Sequence, residues 1–334
     1  MVIDMKDKVN SIYDITKFIL SITIVIIHSG FLKNVLYPYL RIAVPLFFII
    51  SSYFLFKKVN KVKVEERPII IKNFIKRNMI LYLFWFIVLL PVTLDIKRYF
   101  TDYSILKGLI ILLRDYLFSS TFSASWFIMA LIEGVIIVYL LTRKKDYKVY
   151  LWIFIIIYLV VTLFSSYKFI LPKSLLDNKI FYYFHLIMIS PWNSFLVSLI
   201  WIYIGKMFAD NRININVKTN IFLLVLSLLA MWGEWYLVKY YSHIFNYDCY
   251  ILLIPTVILI FNLLNNYNFY FKKSILLRNL STIIYTTHAS IIHILTIDSD
   301  LVQFTLTLSI CLIGGLIIIY LSKKRFLSIL KYAY

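Results

Sequence analysis

Glycine is scarce in this chain, seven in 334 residues, which leaves no room for a Gly-rich loop that cradles phosphate. There are two cysteines, Cys249 and Cys311, without the spacing of a metal site, and they read as structural or inert. No G-x-S-x-G elbow occurs, so a serine-hydrolase mechanism has no support. His288 and His293 are about 140° apart around a helix, the wrong angle for a two-histidine face, and no other ligand set has metal spacing. Internal repeats and matched pairs of broken helices, the usual signs of a secondary transporter, are also missing. Acidic residues are few: 16 Asp and Glu against 35 Lys and Arg, a net charge of +19.

Apolar residues make up 62% of the sequence, and the mean hydropathy is +0.84. Apolar runs of about 20 residues recur along the whole length, so the expected fold is all-α, a polytopic membrane bundle of about ten helices. The spans are predicted near 12–31, 39–56, 74–95, 125–142, 149–166, 191–209, 219–238, 249–265, 279–297 and 301–322. The first run contains Lys17 and lacks a small-residue cleavage site, so it is expected to be a retained span. With both termini placed in the cytoplasm, about 25 of the 35 basic residues fall on the inner side. They cluster at Lys57, Lys58, Lys61, Lys63 and Arg67, at Arg143–Lys145, and at Lys323–Arg325. The positive charge therefore encodes orientation in the lipid bilayer and attraction to anionic headgroups, and no nucleic-acid partner is expected. The short connections imply one membrane domain over 1–334. Residues 96–124 form an outer loop whose stretch 103–117, interrupted by Lys107, Arg114 and Asp115, is expected to be an interfacial or re-entrant helix. The aromatic cluster Phe181–Phe184 beside His185 reads as an interfacial belt.

The first span carries one polar stripe. Asn10, Asp14, Lys17, Ser21 and His28 project from one side of a 3.6-residue helix. Lys17 and His28 share that side roughly 16 Å apart. Ionisable groups inside a span are expensive and usually face a cavity or a partner. The other unusual polar residues sort by depth. His28, Arg41, Trp126, Asn193, Glu234 and Asp248 are predicted at one outward-facing level; Glu133 and His288 lie deeper; Lys17, Lys76 and Arg77 lie at the cytoplasmic mouth. A basic inner entrance joined by a polar stripe to an outer level of His, Arg and carboxylates suits an anionic donor entering from the cytoplasm and a group delivered outside.

His28 is suited to general-base work on a hydroxyl that attacks a thioester, or it is a neutral histidine bonded within the bundle. Arg41 and Glu234 either orient an acceptor or the imidazole, or form an ion pair that locks two spans. Lys17 is suited to a donor phosphate or carbonyl. Asp248 reads as solvated, and Glu133 as a structural partner or a site residue. Ser51, Ser52, Tyr53, Thr286, Thr287 and Ser290 read as interhelical glue.

Four segments in order resemble the integral-membrane acyltransferase 3 family. They are Lys17-x10-His28; Arg41-Ile-Ala-Val-Pro-Leu-Phe-Phe-Ile-Ile-Ser-Ser-Tyr-Phe; Trp126-Phe-Ile-Met-Ala-Leu; and Leu280-Ser281 followed by Tyr285-Thr-Thr-His288. The Arg41-x-Ala-Val-Pro opening is similar to the membrane domain of the vancomycin-resistance serine racemase/transporter. The family's R-x-x-R at the third span is incomplete, because Lys76 and Arg77 are followed by Ile80 where a second basic residue falls. The span-two segment reads Ser-Ser-Tyr where Ser-Gly is common.

The resemblance implies a membrane O-acyltransferase that moves an acyl group, commonly acetyl from acetyl-CoA, to a hydroxyl on an extracytoplasmic glycan or related envelope acceptor. It implies His28 as the catalytic residue, Lys17 as its partner at the donor end, and Lys76 and Arg77 as contacts to the donor. Glu234 is a further catalytic candidate, and Arg41, Trp126, Asn193, Asp248 and His288 are candidates for binding the acceptor. Acyl-CoA enters as a substrate, and no bound cofactor or metal is expected. Some members carry an extra extracytoplasmic domain; without one, transfer is direct or uses a separate glycan-synthesis partner. The alternative is a transporter of a small zwitterion such as serine, with Arg41 on the carboxylate and Glu234 or Asp248 on the ammonium. The composition has a bacterial flavour, which implies the bacterial cytoplasmic membrane.

Overall fold

The computed structural model describes residues 10–93, 104–122, 125–143, 147–242 and 248–334. The predicted loop residues 96–103, 123 and 124, and the basic residues Lys144 and Lys145, lie outside the described residues. Helix dominates, and no strand occurs among the described residues. The helices are α1 Ile12–Ser29, α2 Lys33–Leu40, α3 Ala43–Val59, α4 Arg67–Thr93, α5 Ile105–Phe118, α6 Trp126–Thr142 and α7 Tyr147–Phe164. They continue with α8 Lys173–Leu176, α9 Lys179–Met188, α10 Phe195–Ala209, α11 Val217–Tyr241, α12 Leu253–Asn266, α13 Ser274–Leu295 and α14 Asp300–Leu321. A 3₁₀ segment, Arg325–Ala333, follows.

Each predicted span falls on a helix, and the chain is a polytopic membrane bundle. Six helical stretches are long and apolar enough to cross a bilayer, and Trp126–Thr142, Lys148–Phe164 and Leu253–Asn266 are shorter apolar helices. The boundaries shift for local reasons. The second span is broken into α2 and α3 at Arg41–Ile42, where Pro45 in the first turn of α3 has no N–H to give the Arg41 carbonyl. Helix α4 starts seven residues earlier than predicted, where Pro68 fits the first turn and needs no donor. The sixth is preceded by α9 and a 3₁₀ turn, Pro191–Asn193.

Side-chain caps fix several starts. Asn178, Ser194 and Asn216 each accept a backbone N–H two residues on. Helix α1 ends at Gly30, whose φ of 80° is left-handed, and a Cβ there would meet the Asp300 carboxylate at 3.0 Å.

Helix α10 is the core of the bundle. It packs on α3, α6 and α7, and Ile200, Trp201, Ile202 and Tyr203 are wholly buried or nearly so. Close approach needs a small residue: a Cβ on Gly205 would sit 2.7 Å from the Ile49 carbonyl oxygen. Ser198 donates to the Ala130 carbonyl (2.8 Å), joining α10 to α6. Facing outward are Ile87, Trp152, Phe222, Leu229 and Ile313, all exposed, as a bilayer-facing surface requires.

Two ends can be told apart. At the basal end, Asn10 donates to Tyr267 O (2.7 Å), Asn60 to Asp210 (2.7 Å), and Tyr13 and Tyr53 both donate to Asn265. The apical end gathers the α1 C-terminus, residues 37–41, the start of α6, Pro191–Asn193 and residues 248–252. Between the two, Trp85 of α4 donates to Ala333 O (3.0 Å), which docks the C-terminal segment on the bundle.

Candidate active site

The polar stripe of α1 faces α13, the helix it packs against most extensively, with α3 on a second side. Near the basal end, Lys17 is half-buried and its Nζ donates to Ser51 Oγ at 3.4 Å. Asp14, Arg77 and Arg278 all lie within electrostatic reach of that ammonium. Arg278 approaches Asp14 at 3.9 Å, and the second Asp14 oxygen is buried without a partner. Three cations around one carboxylate leave a local excess of positive charge, the setting that attracts a phosphate. Lys76 is exposed and points about 100° around the helix from Arg77, away from the same line of approach.

At the other end of the stripe, the rings of His28 and His288 face each other, centroids 5.0 Å apart at 51°. His28 is exposed and His288 fully buried. Arg41 is near enough for its charge to act on the His28 ring. Its guanidinium is ion-paired with Asp248, donates to Tyr37 Oη, and lies over the Tyr37 ring at 4.5 Å. A small cavity of about 50 Å³ opens beside this pair, lined by Arg41, Asp248, Asn193, Trp126, Trp192 and Trp201. That is room for a few water-sized groups.

The segment bearing Asp248 is pinned through its backbone. Glu234 accepts from Ile251 N (2.6 Å), Leu252 N (2.9 Å) and Tyr167 Oη (2.5 Å). Tyr158 donates to Tyr250 O (2.8 Å), and Cys249 N donates to Ser166 Oγ (3.2 Å). Burial, reinforced by the Glu234 carboxylate, raises the Tyr167 phenol well above its ordinary value, so it stays a donor.

The sequence pattern of one family, described as an acyltransferase domain, matches residues 10–323. The chain belongs to this acyltransferase family. It is also similar to an amino-acid racemase of Enterococcus faecalis, 26% identical over 261 residues, which cover 75% of this chain and 35% of that protein. The chain thus spans about a third of the length of the relative it matches. No solved structure matches.

In this acyltransferase-family chain, four sequence-predicted acceptor residues, Arg41, Trp126, Asn193 and Asp248, line one cavity. His288 meets His28 instead of that cavity's lining. Two expectations are corrected. Arg41 does not pair with Glu234, because Asp248 takes the guanidinium and Glu234 spends its oxygens on backbone amides and Tyr167. Asp248 is not simply solvated, because it is ion-paired and its side chain is only 20% exposed. Sequence reading missed Arg278, Trp192, Trp201 and Tyr37. Trp192 had a signal in its neighbour Asn193. Arg278, four residues past the start of α13, read as one more flanking cation.

Proposed function

We propose that this protein is a membrane O-acyltransferase that takes acetyl from cytoplasmic acetyl-CoA and passes it to a hydroxyl of an extracytoplasmic glycan or envelope acceptor. The reading rests on one arrangement: a basic cluster at Lys17, Arg77 and Arg278, and a histidine pair near a tryptophan-lined cavity that holds Arg41, Asp248 and Asn193, at opposite ends of the same polar helix face. The basal end is then the cytoplasmic one. Lys17, Arg77 and Arg278 attract the donor's phosphates, and Lys76 adds to the field outside. The separation along α1, roughly 16 Å, suits an extended pantetheine arm reaching toward His28.

In the transfer step His28 removes the acceptor hydroxyl proton as its oxygen attacks the thioester carbonyl. The new C–O bond forms and the C–S bond breaks. The proton held on His28 then goes to the departing CoA thiolate, so atoms and charge balance without another reactant. The Arg41–Asp248 pair, Asn193 and Trp126 present polar and aromatic groups to the hydroxyl-bearing edge of the acceptor, the part that a cavity of this size admits. Glu234 serves by holding the Asp248 segment. The membrane is taken to be the bacterial cytoplasmic membrane.

Mass spectrometry of envelope glycans from cells with and without the protein tests this reading. The expected result is loss of the mass increment of one acetyl group per modified sugar; unchanged glycans and lipids would count against it. A second reading is uptake of a small zwitterion, favoured by the adjacent Arg41 and Asp248 charges and by the likeness to the racemase. Labelled serine uptake by proteoliposomes without dependence on CoA would support that reading instead.

A further inference from the structure

His288 is completely buried, and its Nδ1 lies 3.0 Å from Ile284 O and 2.8 Å from Tyr285 O, one turn back on α13. Carbonyl oxygens only accept, so Nδ1 must carry the hydrogen. In the neutral ring the lone pair then sits on Nε2. That atom is buried and has no hydrogen-bond partner among the described residues. An unpaired buried acceptor is costly, so the site favours whatever donor can reach it.

The His28 ring is the side chain placed to supply one. Its ring centre stands 5.0 Å from the ring centre of His288. Each nitrogen lies about 1.1 Å from its own ring centre, so two nitrogens aimed at each other across this gap are about 2.8 Å apart, a hydrogen-bond distance. A turn of the His28 ring about its terminal torsion, which is soft, aims one of its nitrogens toward the His288 ring. The exposed side of His28 then bears the free lone pair.

We infer that His288 is a positioning residue: its buried Nε2 accepts the N–H of His28, fixes that ring's tautomer, and leaves the outer nitrogen of His28 open to the acceptor hydroxyl. The inference rests on the reading of His28 as the base. His288 stays neutral throughout. The hydroxyl proton goes to the outer nitrogen of His28 and from there to the CoA thiolate, while the N–H···Nε2 bond holds the ring and eases the positive charge it carries in between.

Two substitutions separate this role from packing. Asn places its amide near the Nδ1 position and keeps the backbone bond while removing the acceptor at Nε2; Gln keeps an acceptor oxygen near Nε2. Membrane vesicles of the native host carrying full-length His288→Asn or His288→Gln are given radiolabelled acetyl-CoA, and label entering the envelope fraction is followed. His288→Asn should lower apparent kcat on the order of 100-fold while the KM for acetyl-CoA stays within about twofold. His288→Gln should keep activity within about tenfold of the unmodified chain. Equal activity of the two variants, whether high or low, would overturn the inference. A second measurement needs no variant. Diethyl pyrocarbonate mapped by mass spectrometry should modify His28 and spare His288; modification of His288 first would also overturn it. The parent reading fails separately, if His28→Ala keeps full transfer.

Discussion

Arg41 and Asp248 are ion-paired at the apical end of the bundle, and both side chains are about one-fifth exposed. The pair joins the turn before α3 to the segment that leads into α12. Removing one partner leaves the other charge in a site with few alternatives. Asp248→Asn should therefore destabilise the protein by about 3 kcal/mol, near the lower end for breaking a buried pair. Thermal unfolding in detergent checks this. The double variant Arg41→Met/Asp248→Leu should be less damaged than the sum of Arg41→Met and Asp248→Leu made singly; simple additivity would show that the pair is not coupled.

Glu234 acts through the backbone amides of Ile251 and Leu252. Glu234→Gln keeps the shape but loses a charged acceptor and replaces one oxygen with an amide nitrogen. The expected cost is about 1–2 kcal/mol. Hydrogen exchange at the amides of Ile251 and Leu252 should quicken, while exchange in α10 stays unchanged. Equal protection in both proteins would remove Glu234 from this role.

Arg77 and Arg278 lie within electrostatic reach of Lys17 near the basal end. Lys17→Met or Arg278→Ala should raise the KM for acetyl-CoA about tenfold and leave kcat within about threefold, the pattern of lost ground-state binding. The effect should shrink with added salt, since part of it is long-range attraction. Lower kcat at unchanged KM would place these residues in the chemical step instead.

Gly205 lies where α10 meets α3. Gly205→Ala puts a methyl against Ile49 O and Tyr53 N, at 2.7 and 3.1 Å before any relaxation, and should cost about 1–3 kcal/mol. A methyl group on Gly233 would meet nothing within 4 Å. Gly233→Ala should be neutral or should stabilise by up to about 1 kcal/mol through helix propensity. Unfolding midpoints of the two variants, measured side by side, decide this.

Much of the architecture was legible because most spans are long apolar runs, and hydrophobic length locates such helices. The α1 stripe was legible for the same reason in reverse: Lys17 and His28 stand out against an apolar background, and helical spacing puts them on one face. Pairings were harder to read. Arg41 faces two carboxylates in the sequence pattern, Glu234 and Asp248, and only the course of residues 248–252 decides between them. Arg278 was hidden by the surrounding flanking cations; its approach to Asp14 depends on how α13 packs against α1. The 3₁₀ turn Pro191–Asn193 carries Trp192 into the cavity, and no periodicity announces a side chain placed by a turn.

In the proposed mechanism everything turns on the exposed imidazole of α1 removing the acceptor proton. Its sharpest test is acetyl transfer from radiolabelled acetyl-CoA by membrane vesicles carrying His28→Ala, with expression and unfolding midpoint matched to the unmodified chain. The transfer rate should fall by about 100- to 10,000-fold at unchanged acetyl-CoA binding. Full transfer by that variant would contradict the mechanism.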